Sequence, residues 1–180
     1  MEDLSGKLLI SSAGLHDPNF RHTVVLIGAH SEEGALGVVL NRALDVTIDQ
    51  AVPELIHLTG PEALLYQGGP VQPSQPVLLA ELTDPRFADL EIFGPIGFIT
   101  GITDDALRET IVRARIFGGY SGWGAGQLED EMDADAWIVE KPQVDDVFTD
   151  EPETLWRRVL ERKGPEYRLV SRMPYDVRVN

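Results

Sequence analysis

Ser121 is the residue of this chain whose setting most resembles that of a nucleophile. It lies in Gly119-Tyr120-Ser121-Gly122-Trp123, after an apolar run closed by Ile116 and Phe117 and before a short helical pattern over residues 127–132. A serine on a strand-to-helix turn can present its Oγ to a substrate, as the hydrolase elbow G-x-S-x-G does. Here Trp123 stands where the last glycine belongs, and His16, His22, His30 and His57 all precede the serine. Triad order varies between folds, so hydrolysis of a small molecule through Ser121 is one functional reading. The other is a non-enzymatic regulatory or interaction protein in which Ser121 is merely a small turn residue, and this reading is preferred. A histidine within about 3 Å of the hydroxyl separates the two, because a base must reach its nucleophile.

Other chemistries have weaker signals. Gly122-x-Gly124-x-Gly126 fails the dinucleotide pattern at Gln127, and no G-K-[ST] marks a phosphate loop. A helix starting after Gly126 could receive an anion on its free N–H groups. Glu129, Asp130 and Glu131 already supply negative charge there. Asp130, Asp133 and Asp135 lack the calcium-loop spacing and its central glycine. Without cysteine there are no thiolate nucleophiles and no zinc–sulfur sites. Neither a metal nor a cofactor is expected.

The elements that must position these residues follow from periodicity and punctuation. Gly118, Gly119, Gly122, Gly124 and Gly126 form a glycine-rich loop between strand and helix. Glycine at that density is kept where φ is positive or another backbone comes close. A side chain at Gly124 or Gly126 is therefore expected to clash, with Tyr120 and Trp123 filling the space around them. Upstream, residues 6–12, 24–29 and 35–40 read as strands, the second apolar enough for burial on both faces. Ser31-Glu32-Glu33-Gly34 makes the last two a hairpin. Thr47 and Gln50 have capping-box spacing, and Pro53 keeps that helix short. Strands are expected at 64–66, 77–82 and 96–102, with a loop over 83–94 and a helix over 104–114 on Leu107, Ile111 and Ala114. A strand at 136–140 follows. Asp150 and Glu153 frame a second capping box around Pro152, opening a helix buried through Leu155, Trp156, Val159 and Leu160 and stopped by Gly164. Residues 167–171 read as a final strand. Strands and helices mix without a regular βαβ rhythm, so the expected class is α+β, with one domain over residues 1–180.

The net charge of −15 repels phosphate backbones, so direct, tight nucleic-acid binding is not expected. Apolar runs are too short for a membrane span, and the acidic start is unlike a secretory signal. A cytoplasmic location and no membrane partner are expected.

Three glycine-marked junctions remain: Gly34-Ala35-Leu36-Gly37 running to Asn41-Arg42, Gly68-Gly69-Pro70-Val71, and Gly119-Tyr120-Ser121-Gly122-Trp123-Gly124-Ala125-Gly126-Gln127-Leu128-Glu129. With Leu8-Leu9-Ile10, Asp17-Pro18-Asn19-Phe20, the acidic turn after His30, Trp137 and Asp146-Val147-Phe148, they resemble the AlgH/YqgE family of bacterial proteins over nearly the whole chain. The chain departs from the family pattern at Ser11-Ser12-Ala13, in place of a Met-Pro, and in its ending through Pro174-Tyr175-Asp176 to Asn180. The resemblance implies a single α+β domain: a strongly bent, mostly antiparallel sheet with peripheral helices. It also implies the label of transcriptional regulator, and it brings no catalytic residues. With so acidic a surface, that label points to an indirect role through an unidentified protein or small-molecule partner.

Loops at strand ends carry sites because the sheet beneath holds them rigidly. The candidate binding surface is accordingly Asn41, Arg42, Gly68, Gly69, Tyr120, Ser121, Trp123, Gly124, Gln127 and Glu129. Arg42 is expected beside the helix that starts at Gln127, either paired with Glu129 or leaving a cationic hole there.

Overall fold

The computed structural model describes residues 2–12, 20–101 and 105–171. The strands are β1 (Leu8–Ser11), β2 (Val24–Ser31), β3 (Gly34–Val39), β4 (Ala43–Thr47), β5 (Leu64–Gln67), β6 (Val71–Leu82), β7 (Leu90–Phe93), β8 (Ile96–Ile99), β9 (Ile111–Gly124) and β10 (Trp137–Glu140). The helices are α1 (Ile48–Ala51), α2 (Ile56–Thr59), α3 (Asp105–Thr110), α4 (Gln127–Asp133), α5 (Val144–Val147), α6 (Pro152–Lys163) and α7 (Arg168–Ser171). The class is α+β.

The 14-residue β9 is the spine. The order across the sheet is β10-β1-β2-β3-β9-β6-β8-β7, with β4 on β5 and β5 also on β9. Among the described residues, only the β5–β9 pairing is parallel. The two ends of this order curl toward each other. Leu90 of β7 lies against Gly28 of β2, and a Cβ on Gly6 would meet the Ile92 carbonyl at 2.8 Å. The sheet is strongly bent.

Period-2 alternation divides each strand between two apolar clusters. Leu8, Ile10 and Leu26 join a central cluster that α6 fills with Leu155, Trp156, Val159 and Leu160. Leu9, Val25 and Ile27 face a second cluster with Trp123, Leu128 and Trp137. Leu78, Ala80, Ile99 and Ile116 build a third with Ile48 and Leu107. Burial of both faces explains the continuous apolar run of β2, and the expected hairpin joins β2 to β3, pairing Ser31 with Gly34.

The Thr47 cap forms in both directions, with Gln50 N–H donating to Thr47 Oγ1 at 3.3 Å and Thr47 N–H to Gln50 Oε1 at 3.1 Å. Several expectations fail where distant pairing decides. The helix expected over 104–114 ends at Thr110, because Ile111 already pairs with Leu82 in the sheet. β7 occupies part of the expected loop over 83–94, and β4 was not foreseen. Residues 167–171 are not a strand: Pro165 opens a 3-10 turn that leads into α7. Asp150 does not cap α6, since Pro152 takes the first helical position and makes Glu151 the N-cap, without a side-chain cap bond. Four of the five glycines expected in a loop, Gly118, Gly119, Gly122 and Gly124, lie inside β9. The turn at Asp17-Pro18-Asn19 and the tail from Pro174 fall outside the described residues.

Candidate functional site

The hairpin and the end of β9 set the site. β3 runs antiparallel to β9, pairing Gly34 with Gly124, Ala35 with Trp123 and Gly37 with Ser121. The chain then turns through Gly126, whose φ of 77° is left-handed, into α4. Gly124 N–H donates to Gln127 Oε1 at 2.9 Å, closing that turn. Leu128 and Met132 press onto the second cluster, which fixes where the acids between them lie.

Each half-buried acid has its own partner. Glu131 Oε1 accepts from Trp123 Nε1 at 3.1 Å and from Trp137 Nε1 at 2.8 Å. Phe20 stacks on Trp123 and meets Trp137 edge-on, with centroids 6.0 and 5.6 Å apart. Glu129 Oε1 lies 2.5 Å from His30 Nε2, while His30 Nδ1 accepts the Leu4 N–H at 3.0 Å. That second bond assigns the tautomer: Nδ1 has no proton, so Nε2 carries one toward Glu129. The His30 side chain is 1% exposed.

Cavities flank this pair. One, of about 240 Å³, has an apolar floor of Leu4, Leu128 and Met132 and a rim of Glu2, Glu129 and Asp133. The other, of about 320 Å³, lies between His30, Leu36 and Trp123, with Glu33 at its edge.

The hydrogen bond from His30, with one from the backbone N–H of Glu129, holds the Glu129 carboxyl below its usual range. Glu129 therefore ionises at lower pH in the folded chain than in the unfolded chain. Its contribution is complete above the unfolded value of about 4.3 and disappears as pH falls through the folded one. Denaturation midpoints of the wild type should fall more steeply below about pH 4.3 than those of Glu129→Gln, which has no carboxyl there to titrate. Parallel acid limbs would show that the pair does not contribute.

The residues singled out from the sequence divide into two places. Gly68 and Gly69 do meet β9: Ser121 Oγ donates to the Gly68 carbonyl at 3.1 Å, and Gly69 lies against the Tyr120 carbonyl. Tyr120 pairs with Val71 of β6. Asn41 and Arg42 serve another part of the fold. Asn41 accepts from Val24 N–H at 3.0 Å and donates to the His22 carbonyl at 2.9 Å. The Arg42 guanidinium donates to Thr23 Oγ1 at 3.3 Å and lines a cavity with Gln67 and Glu153. His30 occupies the place beside Glu129 that was expected for Arg42. The reason is register, since β2 places residue 30 opposite Ala35, and Ala35 pairs with Trp123 at the entrance to α4.

The glycine expectation also changes. A Cβ on Gly124 would meet only Gln127 Oε1 at 3.9 Å, and one on Gly126 would meet nothing within 4 Å. Close approaches lie elsewhere, among them Gly69 and Gly118, where a Cβ would lie 2.8 Å from the Pro73 carbonyl. In chemical terms, Ser121 is 0% exposed and its proton goes to a carbonyl. Both nitrogens of His30 are occupied. Among the described residues no three His, Asp or Glu side chains gather as metal ligands, and no helix is long and apolar enough to cross a membrane.

These features define a class: α+β proteins whose bent sheet is centred on a glycine-rich strand and buttressed at its end by a short acidic helix. The chain belongs to the AlgH-like family, whose model matches residues 8–168. A UPF0301 protein of Streptomyces avermitilis is 37% identical over 187 residues, covering 100% of this chain and 97% of the relative. One of Chlorobium limicola is 36% identical over 176 residues, covering 94% and 91%. A crystal structure of a Corynebacterium diphtheriae protein superposes with a TM-score of 0.84 at 26% identity, covering 96% of this chain and 94% of that one. The solution structure of the AlgH protein from Pseudomonas aeruginosa gives 0.74 at 28%, covering 96% and 95%.

Proposed function

We propose that this is a non-enzymatic regulatory or interaction protein, acting in the cytoplasm through a protein partner and without reading DNA. The observation that carries this reading is the engagement of the groups a hydrolase would need. Ser121 is sealed against the Gly68 carbonyl, and His30 spends both nitrogens on Leu4 and Glu129. The face around α4, apolar at its floor and acidic at its rim, suits a partner that is itself apolar and basic. The net charge of −15 disfavours nucleic acid.

The test has two arms. Hydrolysis of small activated esters should be indistinguishable between wild type and Ser121→Ala, and fluorescence anisotropy with duplex DNA at physiological salt should show no sub-micromolar affinity. An esterase activity lost in a folded Ser121→Ala protein would establish the hydrolase reading instead. Specific, tight DNA binding without a partner would make the regulatory role direct.

A further inference from the structure

A fourth cavity, of about 330 Å³, lies away from α4, between β5, β9 and Asp150, two residues before α6. Its walls include Ala63, Leu64, Ala114 and Ile116, and its polar groups include Tyr66, Arg115 and Asp150. At 42% exposure, Leu64 is one of the few large hydrophobic side chains on the surface.

Arg115 is placed here unusually. Its guanidinium sits over the Tyr66 ring at 4.4 Å, and its Nη1 donates to the carbonyls of Val147 and Thr149 at 3.3 and 2.6 Å. Those contacts hold the head group rigidly but use only one nitrogen. Nε and Nη2 have no protein acceptor among the described residues, and the Tyr66 hydroxyl has none either. Arg113, two residues away, has Glu81 and Asp145 both at 3.3 Å, whereas Arg115 has no carboxylate within 4 Å among the described residues. Burial weakens the hold of Arg115 on its charge and keeps the Tyr66 phenol protonated to higher pH than usual.

A guanidinium with one edge fixed and the other edge unsatisfied is preorganised for two parallel oxygens. The apolar wall beside it asks for hydrocarbon, and a volume near the bottom of the roughly 300–1,000 Å³ range of ligand pockets asks for a small molecule. Asp150 and the acidic surface disfavour a doubly charged group such as phosphate.

We propose that this cavity binds a small apolar organic carboxylate, its oxygens on Arg115 Nε and Nη2 and its hydrocarbon on Ala63, Leu64, Ala114 and Ile116. The Tyr66 hydroxyl donates a further hydrogen bond to the same carboxylate. The site is independent of the α4 face and stands whether or not that face binds a partner.

NMR titration of the full chain at neutral pH tests it, with isovalerate, its neutral analogue isovaleramide, and inorganic phosphate at matched ionic strength. Isovalerate should give saturable shifts at Leu64, Tyr66, Ala114, Ile116 and Asp150, with isovaleramide and phosphate at least about tenfold weaker. Tyr66→Phe keeps the ring beneath the guanidinium and should weaken isovalerate about tenfold, the loss of one charge-assisted hydrogen bond. A folded Arg115→Gln protein should not bind it. Absence of saturable shifts at millimolar isovalerate, equal binding of isovaleramide, or tighter binding of phosphate would each overturn the proposal. If Arg115→Gln does not fold, Tyr66→Phe decides, and unchanged affinity in that variant also overturns it.

Discussion

Gly69→Ala should destabilise the protein by about 3–5 kcal/mol, from strained backbone and backbone overlap together. Gly69 has a φ of 155°, and a Cβ there would overlap the carbonyl of Tyr120 in β9. Neither atom is the tip of a flexible side chain, so relief requires moving the segment away from β9. That movement would also pull the Gly68 carbonyl from Ser121 Oγ. In a thermal melt the expected fall is on the order of 10 °C at ~2–4 °C per kcal/mol for a chain of this size. Gly124→Ala is the control. With only Gln127 Oε1 near at 3.9 Å, its effect should stay within about 1 kcal/mol. Equal melting temperatures for the two variants would show that close backbone approach does not explain the glycines.

Arg162→Ala should cost about 3–5 kcal/mol, because it strands a buried carboxylate. Asp146 is 3% exposed, and its oxygens take Arg162 Nη1 at 2.9 Å and Nη2 at 2.8 Å, with Gln143 N–H at 2.7 Å. The pair ties α6 to α5, and Arg162 Nη2 also donates to the Lys141 carbonyl at 3.2 Å. Adding Asp146→Asn to Arg162→Ala should recover part of the loss, since the amide leaves no unpaired charge. Urea midpoints at neutral pH measure both. A loss below about 1 kcal/mol for Arg162→Ala would mean that the pair behaves as an exposed one.

Much of the fold is legible residue by residue where a local pattern has one use. The apolar runs of β1 and β2, the turn at Glu32-Glu33, the Thr47 cap and the buried stripe of α6 all follow from short-range rules, and the structure keeps them. Patterns with two uses are read wrongly. Leu107, Ile111 and Ala114 fit a helical stripe, yet Ile111 pairs with Leu82 and Ala114 with Ala80. A β-branched residue half-buried against a neighbouring strand gains more there than in another helical turn. Tyr167 and Val170 pack on the central cluster from a 3-10 turn and a helix, although their spacing allows a strand.

The candidate site shows the same division. Composition and local chemistry already pointed to an acidic α+β chain, a glycine-rich junction between a strand and a short acidic helix, and no complete catalytic motif. The resemblance to a family followed from the same glycine junctions. Only the tertiary structure decided what those residues touch. It set Gly68 and Gly69 against β9, buried Ser121, gave Glu129 to His30 and sent Arg42 to Thr23. It also left one edge of Arg115 without a protein acceptor among the described residues, beside a cavity with one apolar wall. The reason is range: a hairpin or a cap joins residues a few positions apart, and its signal lies within one window of sequence. His30 and Glu129 are 99 positions apart and Ser121 and Gly68 are 53, and their meeting depends on the registers of β3 and β5 on β9. Register comes from the packing of both faces at once, and no single window of sequence records it.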